Sequence, residues 1–152
     1  MFVSKMLGGF NISFLVFALL HFAKADTLED LKKEYMATLV ECTKKYQLTP
    51  SDILQLQEKK MPDNENAKCM FACAYKSSGM MDDNGMLSVD GVKELIEKYL
   101  SNDSEKKNNG FKFVDACKSV NDQQVSDGNK GCERAALIFK CSLEQAAVFN
   151  FE

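Results

Sequence analysis

Cys69-Met70-Phe71-Ala72-Cys73 is the stretch that decides the fold. Two cysteines four residues apart fall on one face of a helix, one turn from each other. Placed so, they suit two separate partner helices better than each other, and one helix is then stapled to two neighbours. The other four cysteines are Cys42, Cys117, Cys132 and Cys141, and the full spacing is C-x26-C-x3-C-x43-C-x14-C-x8-C. Cys132 and Cys141 lie about two and a half helical turns apart, so they look in different directions and serve different partners. An even set in a short chain behind an export signal reads as a framework of three bridges rather than as six reactive thiols. Spacing alone leaves all of the roughly fifteen pairings open. Three bridges nevertheless tie at least four helices together.

The export signal occupies residues 1–25. Lys5 supplies its positive end, an apolar run at 14–20 follows, and Ala23-Lys24-Ala25 gives the small-x-small cleavage pattern. Asn11, Ser13 and His21 interrupt the run, which falls short of the roughly 20 apolar residues that span a bilayer. No later stretch is apolar enough to cross one. The expected product is secreted, begins at Asp26 and forms one domain over residues 26–152.

Lys5 and Lys24 leave with the leader and every acidic residue follows it. The mature chain therefore carries 17 basic and 22 acidic residues, net −5. An acidic domain without a basic block is a poor nucleic-acid binder. The only histidine, His21, lies in the leader, and there is no tryptophan. Ser-His-Asp and Cys-His catalysis lose their base, so no enzyme is expected. Histidine-ligated zinc is excluded as well, and oxidising export conditions favour bridges over a cysteine-only metal site. Neither a metal nor a cofactor is expected.

Helical periodicity dominates the rest. Leu28, Leu31, Tyr35, Leu39 and Cys42 recur at three and four, which predicts an amphipathic helix over residues 27–46. Thr49 caps a second helix with Pro50 at its first position, carrying Ile53, Leu54 and Leu56 and ending before Pro62. Asp63 or Asn64 caps the third, through Cys69 and Cys73, and a left-handed Gly79 ends it. Residues 80–87 read as a loop. Asp82-Asp83-Asn84-Gly85 resembles a calcium-loop fragment, but aligning Gly85 leaves Met80 and Gly91 at ligand positions, so the reading is a turn. Ser88 caps a fourth helix with Val92, Leu95, Ile96, Tyr99 and Leu100. Residues 101–110, SNDSEKKNNG, have no apolar side chain and read as an exposed connector. They include the sequon Asn102-Asp103-Ser104, a candidate glycosylation site at Asn102. A fifth helix carries Phe111, Val114, Cys117 and Val120. The sixth begins near Lys130 with Cys132, Ala135, Phe139 and Cys141. No alternating strand pattern occurs. The fold class is all-α, about six helices.

Each bridge contributes about 2–4 kcal/mol, mostly by restricting the unfolded chain. A domain clamped this way tolerates an internal void that otherwise costs several kcal/mol. Six methionines, Met36, Met61, Met70, Met80, Met81 and Met86, add adaptable apolar volume. Bridged helices with adaptable apolar side chains suit a container.

The leader, the chain length, the acidity, six helical segments and above all the three- and eight-residue cysteine intervals resemble the insect odorant-binding proteins, the group that includes the pheromone-binding proteins. The resemblance covers the whole mature chain, with the 43-residue gap toward the long end for that family. It implies six helices around a buried apolar cavity and the pairing Cys42–Cys73, Cys69–Cys132 and Cys117–Cys141. It also implies a secreted carrier that binds a small hydrophobic odorant or pheromone reversibly and takes it through aqueous lymph to an odorant receptor. The chain is expected as a monomer or weak homodimer, without nucleic acid and without stable membrane insertion.

On this reading the pocket wall comprises Met36, Leu39, Ile53, Leu56, Met70 and Phe71 from the first three helices. Val92, Leu95, Ile96, Phe111, Val114, Ile138 and Phe139 follow from the last three. A hydroxyl of Tyr35, Tyr75 or Tyr99 is expected to orient a polar head group. The tail at 142–152 is unusually apolar for a chain end, and Val148, Phe149 and Phe151 are expected to fold back as a wall or lid. Release by histidine titration is not available, so any acid response falls to carboxylates such as Glu152. Two alternatives stay open: a carrier of the same fold with lipid or hormone cargo outside smell, and a secreted helical factor that carries nothing.

Overall fold

The computed structural model describes residues 27–149. The leader, the start at Asp26, Phe151 and Glu152 lie outside the described residues. Among the described residues there are six α-helices: α1 (Leu28–Lys45), α2 (Pro50–Gln57), α3 (Glu65–Ser77), α4 (Val89–Leu100), α5 (Ser104–Cys117) and α6 (Cys132–Phe149). Two 3-10 turns, Lys118–Asp122 and Gly128–Lys130, join α5 to α6. A lone antiparallel bridge between Met81 and Leu87 is the extended pairing present among these residues.

The helix starts follow their capping chemistry. Thr27 and Thr49 each form a reciprocal box with the aspartate three residues on, Asp30 and Asp52. Asn64, Ser88 and Asp103 cap α3, α4 and α5. Gly79 follows α3 at φ +78°, the left-handed conformation that glycine adopts without a Cβ penalty. In the loop after it, Asp82 Oδ1 accepts from the N–H groups of Asn84 and Met86, both at 2.9 Å, which makes the turn.

Two expectations change. Residues 101–110 are not a connector. The link is only 101–103, and α5 begins at Ser104, because Asp103 caps it and Ser104-Glu105-Lys106-Lys107 accept helical geometry. Gly110, which looked like loop composition, lies inside that helix against Ile96 of α4. A Cβ there would stand 3.1 Å from Ile96 Cδ1, so the glycine marks a close helix crossing. Through Phe149 the apolar tail continues α6 rather than folding back, since residues 142–149 contain no helix breaker.

α3 is the hub. It packs on α6 and α1, while α5 packs on both α4 and α6. Ala67, Ala72 and Ala74 on α3 are fully or nearly fully buried, which lets its neighbours approach closely. The bridges join Cys42–Cys73 (α1 to α3), Cys69–Cys132 (α3 to α6) and Cys117–Cys141 (α5 to α6), with Cα separations of 5.9, 4.3 and 5.8 Å. Cys69 and Cys73 thus serve two different helices. The main core gathers around these sulfurs with Tyr75, Met81, Leu87, Val120, Ala135 and Ile138. A smaller cluster, Ile96, Leu100 and Val114, seals α4 against α5. Arg134, buried on α6, donates to the carbonyls of Val120 and Gln123 and so clasps the first 3-10 turn to α6.

Candidate ligand cavity

One face of α1 carries Met36, Leu39, Val40 and Thr43 at helical spacing. These residues, Gln47 and Leu48 beyond α1, Ile53, Leu56 and Gln57 of α2, Met70 and Phe71 of α3, and Phe139 of α6 line a cavity of about 870 Å3. Its floor is buried: Met70 and Phe71 sit in the core, and the Phe71 and Phe139 rings meet at 4.9 Å and 53°. Its mouth is open and apolar, with Met36 57%, Val40 60% and Ile53 47% exposed. No ionisable side chain lines it among the described residues. Wide apolar walls with a few neutral polar groups are the usual make-up of a small-molecule site.

α2 forms one side of this cavity and is held at its start by hydrogen bonds. The Asp52 carboxylate accepts from the Thr49 N–H and hydroxyl and from the Asn64 amide at 2.7 Å. Asn66 donates to the Gln47 carbonyl at 3.2 Å. The Thr49 N–H and hydroxyl lower the Asp52 carboxyl below the usual carboxylate range, with burial pulling it back up and Asn64 lowering it further.

Seven of the residues read from sequence, Met36, Leu39, Ile53, Leu56, Met70, Phe71 and Phe139, come together on this cavity. The others among the described residues do not line it. Ile96 and Val114 form the α4–α5 seal, with Val92 and Phe111 packed against it, because those stripes face one another. Leu95 is half-buried on α4. Ile138 is buried in the main core. Val148 is 64% exposed, and Phe149 meets Phe113 of α5 edge-on at 6.5 Å rather than covering the mouth.

The tyrosines are also engaged elsewhere. Tyr35 and Tyr75 stack at 6.2 Å and hydrogen-bond each other behind Phe71. Burial pushes both phenols well above their ordinary value. Tyr99 donates to Glu34 and accepts from Lys98, tying α4 to α1. The polar groups of the cavity are instead Thr43, Gln47 and Gln57, which sequence reading missed along with Val40 and Leu48. Val40 had a signal, since it stands one turn from Met36. Gln47 and Gln57 had none, because each is an exposed polar residue near a helix end. Asn102 is exposed in the 101–103 link. Among the described residues no three His, Cys, Asp or Glu are grouped to hold a metal ion, and no helix is long and apolar enough to cross a membrane.

A bridged all-α frame around an open apolar cavity is the class of protein that fold and site define. The PBP/GOBP family pattern matches residues 24–145, and the chain belongs to that family. It is 27% identical over 125 residues to general odorant-binding protein 19d of Drosophila melanogaster, covering 82% of this chain and 80% of that one. It is 28% identical over 114 residues to general odorant-binding protein 28a of the same organism, covering 72% and 76%. The solved structure of odorant-binding protein dmelOBP28a from Drosophila melanogaster superposes with a TM-score of 0.62 at 23% identity, covering 82% of this chain and 98% of that one. That likeness establishes the shared fold.

Proposed function

We propose that the chain is a secreted, non-enzymatic carrier that takes up a small hydrophobic molecule such as an odorant or pheromone, moves it through an aqueous secretion and releases it unchanged, in the olfactory setting to a receptor. The observation that carries this is the cavity: about 870 Å3, apolar, open at one side and without an ionisable wall group among the described residues. A site built this way has nothing to donate or abstract a proton at neutral pH, so binding is its chemistry. Burial of roughly 300 Å2 of ligand surface at ~25 cal/mol/Å2 gives on the order of 7 kcal/mol, or micromolar affinity. Such a complex forms and dissociates readily.

Export is supported by the leader pattern and by three bridges that persist in oxidising surroundings. Asn102, exposed within its sequon, is the position where a glycan is expected. Displacement of an apolar fluorescent probe from the mature, bridged chain tests the reading. Saturable binding with competition by volatile and fatty compounds is expected. Failure to take up the probe or any member of a broad panel would sink it.

A further inference from the structure

We infer that α2 is a movable strap that closes over the occupied cavity, with Asn64 and Asn66 as the positioning residues that hold it, a gating step that rests on the carrier reading and deepens it. α2 is eight residues long, and a helix of that length is marginal in water without tertiary support. It receives little. Asp52 is its sole buried residue, and the one apolar side chain it packs on the core, Leu56, is half-buried. Ile53 and Leu54 stay 47% and 61% exposed. No other helix is packed extensively on it among the described residues. The Cys42–Cys73 bridge pins the two ends of the segment that carries α2, but no cysteine lies between Cys42 and Cys69 to tie down the helix itself.

The tethers that do reach α2 gather at its start. Asn64 donates to Asp52 at 2.7 Å, and Asn66 donates to the Gln47 carbonyl at 3.2 Å. At the other end Glu58, Lys59 and Lys60 are exposed, and the Glu58–Lys60 ion pair stays within that end. Lys59 turns the chain there at φ +59°, and the fixed chain resumes at the fully buried Pro62. A helix held at one end and loose at the other swings about the held end. Its inner side then moves against Met36 and Val40 of α1, 57% and 60% exposed on the same cavity. A ligand that touches both walls buries more apolar surface with α2 moved in, so it shifts α2 inward. Segments with few buried apolar contacts open most easily, so ligand exit follows the outward swing of α2.

The test is hydrogen exchange of the mature, bridged chain with and without a saturating apolar fluorescent probe. Without probe the amides of α2 should exchange about a hundredfold faster than the core amides of α3, and probe should slow them about tenfold. Asn66→Ala leaves every lining side chain in place, and Asn64→Ser keeps a capping hydroxyl for α3 while losing its reach to Asp52. Each should raise the dissociation rate of the probe in stopped flow by about three- to tenfold, with exchange in α3 and α6 unchanged. A role confined to stability would instead speed exchange throughout the chain and leave that rate alone. With the probe bound normally, α2 amides as slow as those of α3 in the free chain would overturn the inference. So would α2 exchange unmoved by probe, or a dissociation rate unaltered in both variants. Failure of the parent chain to bind the probe would sink the carrier reading, and the gating step with it.

Discussion

Asp52 shows how much one side chain can organise. It closes the capping box of α2 and reaches Asn64 at the start of α3, so a single carboxylate ties the starts of the two helices together. Its folded-state pKa is depressed, chiefly by the Thr49 N–H. Its contribution to stability is therefore complete above the unfolded carboxylate value and is lost as pH falls through the folded one. Asp52→Asn should lower the denaturation midpoint at pH 7, and the difference from the parent should shrink as pH drops below ~4. Urea melts at a series of pH values would check this; a difference that stays constant into acid would contradict it. Gln47, Gln57 and Arg134 teach the opposite lesson. Nothing in their local sequence marks them, because their roles depend on carbonyls and walls supplied by other segments.

Helices were legible in the chain because caps and periodicity are local. Thr27, Thr49, Asn64 and Ser88 mark their starts in the folded protein as their residue types predict. The exception, 101–110, failed because polar composition and a glycine look the same in a loop and in a helix pressed closely on a neighbour. Two glycines separate these cases. A Cβ on Gly91, in the first turn of α4, would overlap the Gly79 carbonyl oxygen, a backbone atom that cannot swing away. Gly91→Ala should cost about 2 kcal/mol or more as overpacking. The three atoms nearest a Cβ on Gly110 all belong to the Ile96 side chain, at 3.1–3.3 Å, which can yield by a few tenths of an ångström. There the helix-propensity gain of about 1 kcal/mol offsets the crowding, and Gly110→Ala should be near neutral. Thermal melts of the two variants side by side decide whether backbone or side chain sets the limit.

Taken together, the bridges decide how the molecule holds an open cavity. Cys69–Cys132 closes the longest loop, at a separation of 63, against 31 and 24 for Cys42–Cys73 and Cys117–Cys141. On the chain-entropy relation their removal costs roughly 4.3, 3.7 and 3.4 kcal/mol in that order. Paired Cys→Ser variants compared by urea denaturation should rank this way; a smallest loss for the Cys69–Cys132 pair would show that loop closure is not the governing cost. Ligand binding should be nearly constant between pH 7.5 and 6, since the cavity lining has no ionisable side chain among the described residues and the chain after the leader has no histidine. Probe titrations across that window provide the check, and a steep fall would require a carboxylate coupled to the cavity from elsewhere.

The chain by itself determined the all-α class, every helix start but that of α5, the presence of a three-bridge framework and, through its cysteine intervals, the family. These follow from capping, from the 3.6-residue period and from spacing, all of which act within a few residues or along one helix. Only the tertiary structure decided which apolar stripe meets empty space and which meets another stripe. Met36 and Ile96 are equally apolar and equally periodic, yet one stands at the mouth of a cavity and the other is pressed on Gly110. The difference lies in how far apart the neighbouring helices are held, and bridges between distant segments set that distance.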